Sequence, residues 1–426
     1  MTDPSRRSSP ERPLSPVGGP RRILLAAFGD PGHAFPAIAL GRTLAARGHR
    51  VWLQTWSKWR EHVEREGMEF APAPEYQVFP TLERPLKPYA AAVRAARETR
   101  PLIQAVNPDA VVVDILTVAA ALAAELEGRR WATLIPHVMP TSARGFPPYS
   151  SGARLPRTSL GRALWRSLAP LTSAGEQRGR DELNAARAQL GLPPLAHVHG
   201  GISGELAIVA TFPQLEYPRV EWNPAVEITG PLLWEQPHGE TELPPGDDPL
   251  VLIAPSTAQD PQQRMLAAAL AGLGGERLRV LATTNRRTPA ALIAVPANAR
   301  VVSWLSYAKT MPHCAAVVCH AGHGTLVRAL ACGVPVLACP AGGDMAENAA
   351  RAGWAGAGVR LSRRLVGPRA IRLALQRLLA DERYARQAGE LAAWAAANNG
   401  AERAANAVER FCATREPGEG PRVGRE

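Results

Sequence analysis

The segment VVCHAGHGT, residues 317–325, places two histidines and two glycines directly after an apolar run. A metal site, a catalytic base and a cradle for phosphate could each use such residues. The order of strand, glycine turn and helix favours the cradle, because Gly322 and Gly324 let a ligand approach the backbone and the free N–H groups near Thr325 attract an anion. His320 ends the strand within reach of that anion. A metal site is a weaker alternative, since no third ligand is near. The remaining alternative is an ordinary strand-turn-helix with a surface histidine and no ligand.

A second pair of residues could supply acid–base chemistry. His33 follows the apolar run ILLAAF, and Asp114 ends the run AVVVD. If both runs are parallel strands of one sheet, both side chains lie at its carboxyl edge, where a carboxylate can orient an imidazole and stabilise its protonated form. An imidazole titrates near neutrality and suits the role of general base. The alternatives are a turn histidine bonded to backbone and an aspartate that caps the next helix.

These residues need a scaffold in which strands and helices repeat. Short apolar runs alternate with longer helical stretches, which indicates parallel α/β sheets. GDPGH is predicted to be a turn, followed by a helix from Pro36 to Arg47. The runs predicted to be strands are RRILLAAF, GHRVWLQT, PDAVVVDIL and RWATLIPHV in the first half, and LVLIAPS, LRVLATT, ARVVSWL, AAVVCHA and VPVLACP in the second.

A segment rich in proline, glycine and acid, LLWEQPHGETELPPGDDP, separates the two doubly wound halves. We therefore expect six regions: a disordered tail over 1–20, a first Rossmann-like domain over 21–234, a linker over 235–248, a second Rossmann-like domain over 249–382, a helical stretch packing back across both domains over 383–415, and a disordered tail over 416–426.

Length and composition limit the classes of protein. A chain of 426 residues suits two domains, and no apolar run approaches the roughly 20 residues that cross a bilayer. The first residues lack the apolar core of a signal peptide, so we expect a cytoplasmic protein without stable membrane insertion. Five cysteines without a CxxC pair disfavour disulfide and metal roles. The net charge of +11 is scattered and aromatic residues are only 5%, which disfavours nucleic acid as a partner.

Residues 304–348 resemble the donor-binding signature of family 1 glycosyltransferases, of the type that glycosylates macrolides and other antibiotics. The segment ILLAAFGDPGHAFPAIALGRTLAARGHRV resembles the first half of the same family. The resemblance implies the GT-B fold, in which two doubly wound Rossmann-like domains face each other across a cleft. The positions that carry the donor signature are Trp304, His320, the Gly322-Gly324-Thr325 turn, Gly333 to Pro335, Pro340 and Asp344.

The resemblance also implies a role for each matching residue. It supports His33 and Asp114 as the catalytic pair, and it would place Thr257 where such enzymes keep another phosphate-side hydroxyl. The implied donor contacts are Trp304 with the nucleobase of a nucleotide sugar, His320, Gly322, Gly324 and Thr325 with the diphosphate, and Asp344 with the sugar hydroxyls.

The sequence departs from this signature in three places. Ser306-Tyr307 replaces the usual Pro-Gln, Arg328 replaces an acidic residue, and Met345 replaces the glutamine after the aspartate. Each change removes or inverts a polar contact to base, ribose or sugar. The hypothesis that follows is a dTDP-linked or deoxygenated sugar rather than UDP-glucose.

No Asp-x-Asp pair occurs in the sequence, so we expect transfer without a metal or other cofactor, with inversion at the anomeric carbon. We expect a UDP- or dTDP-sugar as the donor and a small, largely apolar molecule with a hydroxyl as the acceptor, for which Trp56 and His137 are candidate contacts. Core packing is the alternative for the tryptophan. The competing functions are a nucleotide-sugar epimerase, a lipid or cell-wall sugar transferase, and a non-catalytic partner that binds sugar nucleotides. A homodimer is the assembly considered.

Overall fold

The computed structural model describes residues 19–74, 89–141, 143, 145–196, 201–220, 222–256, 260, 262–287 and 293–414. Thr257, the predicted tail over 416–426 and nearly all of the predicted tail over 1–20 lie outside these residues. Among the helices that the structure describes, none is long and apolar enough to span a membrane.

The first half of the chain forms a seven-stranded parallel sheet in the order β3-β2-β1-β4-β5-β6-β7. Its strands are β1 (Arg22–Ala26), β2 (Arg50–Thr55), β3 (Glu69–Pro72), β4 (Ala110–Asp114), β5 (Trp131–Ile135), β6 (Ala207–Val209) and β7 (Val226–Ile228). Its helices are α1 (Pro31–Ala46), α2 (Arg60–Arg65), α3 (Ala90–Val106), α4 (Val118–Leu126) and α5 (Ser159–Gln189).

The second half forms a six-stranded parallel sheet in the order β10-β9-β8-β11-β12-β13. Its strands are β8 (Leu250–Ala254), β9 (Arg279–Thr283), β10 (Ala299–Val302), β11 (Ala316–Cys319), β12 (Val336–Ala338) and β13 (Gly358–Arg360). Its helices are α6 (Arg264–Leu273), α7 (Tyr307–Thr310), α8 (His323–Ala331), α9 (Met345–Trp354) and α10 (Pro368–Ala380). The predicted α/β class with two doubly wound halves is confirmed, while the residue boundaries of the domains stay a prediction.

The central strands of both sheets are buried along their whole length. Every residue of β4 and of β8 is buried, because helices cover both faces of a parallel sheet. Each large aliphatic side chain buried in this way contributes about 1.5–3 kcal/mol. The carboxyl ends of these strands are therefore fixed platforms for the residues that follow them.

The sequence predicted that the whole segment GDPGH is a turn, but its last three residues belong to a helix. Helix α1 begins at Pro31, five residues before the predicted start. Proline suits the first helical position because its missing N–H has no intrahelical partner there, and the N–H of His33 donates to the carbonyl of Asp30 (3.0 Å). His33 therefore lies in the first turn of a helix.

The C-terminal helical stretch is two helices, α11 (Glu382–Ala397) and α12 (Gly400–Ala413). The break follows from Asn399, whose side chain accepts hydrogen bonds from the N–H groups of Ala401 and Glu402 and so caps α12. Helix α11 packs against α8 of the second domain, and α12 packs against α1 of the first. Glu409 of α12 bonds His49 Nε2 at 2.9 Å.

Candidate functional site

A histidine and an aspartate meet at the carboxyl edge of the first sheet. His33 lies beyond β1, and Asp114 is the last residue of β4, the neighbouring strand. His33 Nδ1 is 2.7 Å from Asp114 Oδ2. The other carboxylate oxygen, Oδ1, accepts a hydrogen bond from the N–H of Leu116 at 2.9 Å. The carboxylate is buried and held on both sides, so it fixes the orientation of the imidazole. Asp114 does not cap α4, whose N-cap residue is Thr117.

The environment of His33 favours a basic imidazole. Burial lowers the pKa of His33, but the charge and hydrogen bond of Asp114 oppose this, and Asp30 and Asp344 add to the opposing effect, so the net pKa is raised above its ordinary value. Because Nδ1 donates to Asp114, the neutral ring carries its lone pair on Nε2. The side chain is 18% exposed and lines the cleft. Such a ring can accept a proton from a hydroxyl in the cleft.

The cleft lies between the two domains and has a volume of about 320 Å³, within the range of small-molecule sites. Both domains and the segment that joins them contribute to its walls. It brings together the predicted residues His33, His137, Trp304, His320, Gly322, Gly324, Thr325 and Asp344.

The glycine turn between β11 and α8 leaves room for a side chain and a ligand. The residue with a left-handed backbone is Ala321 (φ 63°), not either glycine. A Cβ at Gly322 would lie 2.2 Å from His320 Nε2, whereas a Cβ at Gly324 would meet nothing within 4 Å. Gly322 therefore makes space for the imidazole, and Gly324 keeps the first turn of α8 open towards the cleft.

Gly322→Ala is expected to weaken binding of dTDP and of inorganic diphosphate by about tenfold or more, the range for one lost hydrogen bond to a charged group. The added methyl forces His320 away from the turn. Isothermal titration calorimetry measures the change. Gly179→Ala is the control, since a Cβ there meets nothing within 4 Å. Equal affinities for the two variants would contradict the role given to His320.

The two histidines of this segment have different surroundings. His320 Nδ1 lies 3.2 Å from the carbonyl oxygen of Ala254, and burial lowers the pKa of His320. His323 Nε2 lies 3.4 Å from the carbonyl oxygen of Ala210 in the first domain, and burial lowers the pKa of His323 to about 3. Within the described part of the chain, no group of three or more His, Cys, Asp or Glu residues could hold a metal ion.

The departures from the donor signature form new contacts. The hydroxyl of Tyr307 donates to Asn285 Oδ1 at 3.2 Å. Arg328 donates to the carbonyl of Trp234 at 2.8 Å and lies 3.8 Å from the carboxylate of Glu235. Met345 is the first residue of α9 and adds an apolar surface to the cleft.

Glu235 is a cleft residue that the sequence did not predict. Its carboxylate accepts hydrogen bonds from Ser306 Oγ and from the N–H of Ala308, and it pairs with Arg328. It thus brings a negative charge beside the residue that replaces the usual acid. A single glutamate in a proline-rich segment carries no signal in one sequence, which predicts only that Glu235 belongs to the linker over 235–248.

The two candidate acceptor contacts lie in different places. His137 follows β5 and lines the cleft, with its ring centroid 6.3 Å from that of His33. Trp56 packs on Phe28 at 5.0 Å between centroids and lines a separate pocket of about 30 Å³, which holds about two water molecules. Trp56 is thus not among the residues that line the cleft between the domains, and its contact with the acceptor stays a prediction.

Two family models match the chain, one on each side of the cleft. Residues 265–410 match the model described as "Erythromycin biosynthesis protein CIII-like, C-terminal domain", and residues 23–133 match the "Glycosyltransferase family 28 N-terminal domain". Together the two matches cover more than half of the chain.

Curated relatives match along most of their length. The 4'-demethylrebeccamycin synthase of Lentzea aerocolonigenes is 28% identical over 401 residues, which is 87% of this chain and 94% of that protein. The O-mycaminosyltylonolide 6-deoxyallosyltransferase of Streptomyces fradiae is 29% identical over 436 residues, which is 92% of this chain and 98% of that protein.

Solved structures share the architecture. The glycotransferase of kitacinnamycin has a TM-score of 0.71 at 22% identity, and the calicheamicin glycosyltransferase CalG4 has a TM-score of 0.70 at 23% identity; each alignment covers 92% of this chain and 98% of the other. The glycosyltransferase VinC, solved in complex with dTDP, has a TM-score of 0.66 at 20% identity and covers 92% of this chain and 99% of its own. These likenesses show the GT-B fold.

Proposed function

We propose that this chain, which belongs to the GT-B glycosyltransferases of the antibiotic type in family 1, transfers a sugar from a nucleoside diphosphate to a hydroxyl of a small, largely apolar acceptor. The observation that carries this proposal is the His33–Asp114 pair, which opens onto the same cleft as Asp344 and the α8 N-terminus. The epimerase and the non-catalytic alternatives are set aside, because the relatives of the chain are glycosyltransferases.

The proposed reaction is a single displacement. The oxygen of the acceptor hydroxyl attacks the anomeric carbon of the sugar as the bond from that carbon to the diphosphate oxygen breaks, so the configuration inverts. His33 Nε2 takes the hydroxyl proton, and Asp114 stabilises the imidazolium that forms. The charge that develops on the departing diphosphate is stabilised by the N–H groups of the first turn of α8 and by His320, whose Nδ1 donates to the carbonyl of Ala254 and whose protonated Nε2 donates to the diphosphate. These groups can do so without a metal ion, so we propose metal-independent transfer.

A dTDP-linked deoxysugar is the proposed donor. Trp304 offers its indole face to the base, and Asp344 accepts hydrogen bonds from sugar hydroxyls. Met345 gives the cleft an apolar surface where the family signature has a glutamine, which favours a sugar with fewer hydroxyls. The Streptomyces fradiae relative is named as a 6-deoxyallosyltransferase, and two structural neighbours were solved with thymidine diphosphate. A cytoplasmic location and a homodimer belong to the proposal as well.

Thermal denaturation with a nucleotide panel tests the donor. We expect dTDP and dTDP-deoxysugars to raise the melting temperature more than UDP does, because at equal concentration the ligand with the lower Kd stabilises the native state more. A ligand at 100 times its Kd contributes about 2.7 kcal/mol. Adenosine diphosphate at equal concentration is the control. A preference for UDP-glucose would overturn the deoxysugar proposal, and no stabilisation by any pyrimidine nucleotide would overturn the function.

Chelation tests the charge stabilisation. Turnover is expected to stay within about twofold of its initial value after treatment with EDTA and gel filtration, since α8 and His320 supply the charge stabilisation themselves. The rate is measured as nucleotide released from the sugar donor in chelated buffer. Loss of turnover that Mg²⁺ or Mn²⁺ restores would contradict the metal-independent mechanism.

A further inference from the structure

A buried ion-pair cluster joins the two domains beside the cleft. Arg351 of α9 donates from Nη1 to Glu216 Oε2 of the first domain at 2.7 Å, and from Nε to Glu347 Oε1 at 2.9 Å. The three side chains are each at most 4% exposed. The guanidinium also lies 4.0 Å from the ring centroid of Tyr217 in the first domain. One cation thus bridges a carboxylate from each domain.

The cluster reaches the wall of the cleft on the first-domain side. Glu216 Oε1 accepts a hydrogen bond from the N–H of Met139 at 2.6 Å, two residues beyond His137. Arg351 Nη1 donates to the carbonyl of Leu215 at 3.1 Å. The loop after β5, which carries His137, is therefore tied to α9.

The same helix positions the sugar-binding edge of the second domain. Helix α9 begins directly after Asp344. One turn into it, the side-chain N–H of Asn348 donates to the carbonyl of Ala321 in the glycine turn at 3.1 Å and lies 3.4 Å from Asp344 Oδ2. A shift of α9 would therefore move Asp344 and the diphosphate cradle together.

A second contact presses the first domain against α9. Gly152 has a left-handed backbone with φ of 60°, and a Cβ there would lie 2.7 Å from the Cβ of Ala346. Only glycine permits this approach. The first domain therefore supports α9 at two independent places, one ionic and one steric.

Stability alone is a poor reason for such a cluster. A buried ion pair is often no more stabilising than apolar residues of the same volume, because both charges lose their water. Arg219 of the first domain lies close enough for its charge to act on Glu216, Glu347 and Arg351, so the cluster carries more than one buried charge of each sign. What the guanidinium supplies that an apolar side chain cannot is directional bonds that fix one orientation of α9 against the first domain.

We propose that Arg351 is a positioning residue that sets the alignment of the two domains, and so the distance from His33 to the anomeric carbon of the donor. This inference rests on the proposed function for its effect on turnover. The base is in the first domain and the sugar-binding edge is in the second. A change in the alignment of the domains therefore changes the distance between the reacting atoms. A displacement of about 1 Å can cost about 10²-fold in rate.

The test compares two arginines of the same kind. Arg187 is also buried, and it pairs with Glu125 through two bonds of 2.9 and 2.7 Å, but both residues belong to the first domain. Arg351→Met and Arg187→Met are each expected to lower the melting temperature. Only Arg351→Met is expected to reduce turnover per folded molecule, by about ten- to a hundredfold, and to increase the radius of gyration in small-angle X-ray scattering. Its Kd for dTDP is expected to stay within about twofold of wild type, because the implied nucleotide contacts lie in the second domain.

Gly152→Ala is the second variant, because it moves α9 without changing any charge. It is expected to reproduce the loss of turnover with dTDP binding retained. The proposal is overturned if Arg351→Met matches Arg187→Met in both turnover and radius of gyration, or if Gly152→Ala turns over at the wild-type rate. Scattering needs no substrate, so it tests the alignment even if the wild-type protein binds neither dTDP nor UDP, a result that would contradict the proposed function and not the alignment.

Discussion

His33→Ala is expected to lower turnover by about 10²- to 10⁴-fold, the usual contribution of a positioned general base, with nucleotide affinity close to wild type. The imidazole is the group whose Nε2 faces the cleft while Nδ1 is held by a buried carboxylate. The implied nucleotide contacts lie in the second domain, so losing the ring leaves them intact. The measurements are turnover at saturating donor and the Kd for dTDP by calorimetry.

His313→Ala is the matched control, since His313 is an exposed histidine outside the residues that line the cleft. We expect its turnover and its affinity for dTDP to equal those of wild type. Turnover near the wild-type value for His33→Ala would end the assignment of His33 as the base. A large loss of dTDP affinity in the same variant would instead assign the residue to donor binding.

The sequence was sufficient to predict the sheets because parallel strands are buried on both faces. Runs such as AVVV in β4 and LVLIA in β8 are short, apolar without interruption and rich in β-branched residues, which favours a buried strand over a buried helix. The segment GDPGH misled for a physical reason. Glycine, proline and aspartate are frequent in turns, yet the same residues begin a helix when proline takes its first position.

The sequence could not predict contacts between distant segments. Glu216 and Arg351 are 135 residues apart, and a single chain shows no periodicity that links them. The sequence predicts Glu235 only as a linker residue for the same reason, since its partner Arg328 belongs to another domain. The direction of a side chain is equally hidden, as the small pocket beside Trp56 shows. The proximity of His33 and Asp114 could be predicted from the sequence, because each residue ends or follows a strand of one parallel sheet.

Asp114→Asn is expected to cost about as much turnover as losing the base, for a reason that the local geometry supplies. Asp114 Oδ1 accepts the N–H of Leu116 at 2.9 Å, and only the amide oxygen of asparagine can keep that bond. The amide nitrogen must then face His33 Nδ1 in place of Oδ2. A nitrogen that donates to Nδ1 moves the ring proton to Nε2, so the imidazole presents a proton to the acceptor hydroxyl instead of a lone pair. A wrong tautomer of this kind has cost about 10⁴-fold in a serine protease triad.

The pH profile separates this cause from simple unfolding. Burial lowers the pKa of His33, but the charge and hydrogen bond of Asp114 raise it, and the net pKa is raised. His33 can act as a base only when its ring is neutral. In wild type, kcat/KM therefore falls as the pH drops through that raised pKa. In Asp114→Asn the main raising influence is gone, so the acidic limb is expected to move to lower pH while the plateau falls by about 10²- to 10⁴-fold. Asp30→Asn removes a nearby charge but no hydrogen bond to the His33 ring. We therefore expect its acidic limb to shift less and its plateau of kcat/KM to fall by less than about tenfold. An Asp114→Asn profile with the wild-type limb and plateau would show that the carboxylate does not act through His33.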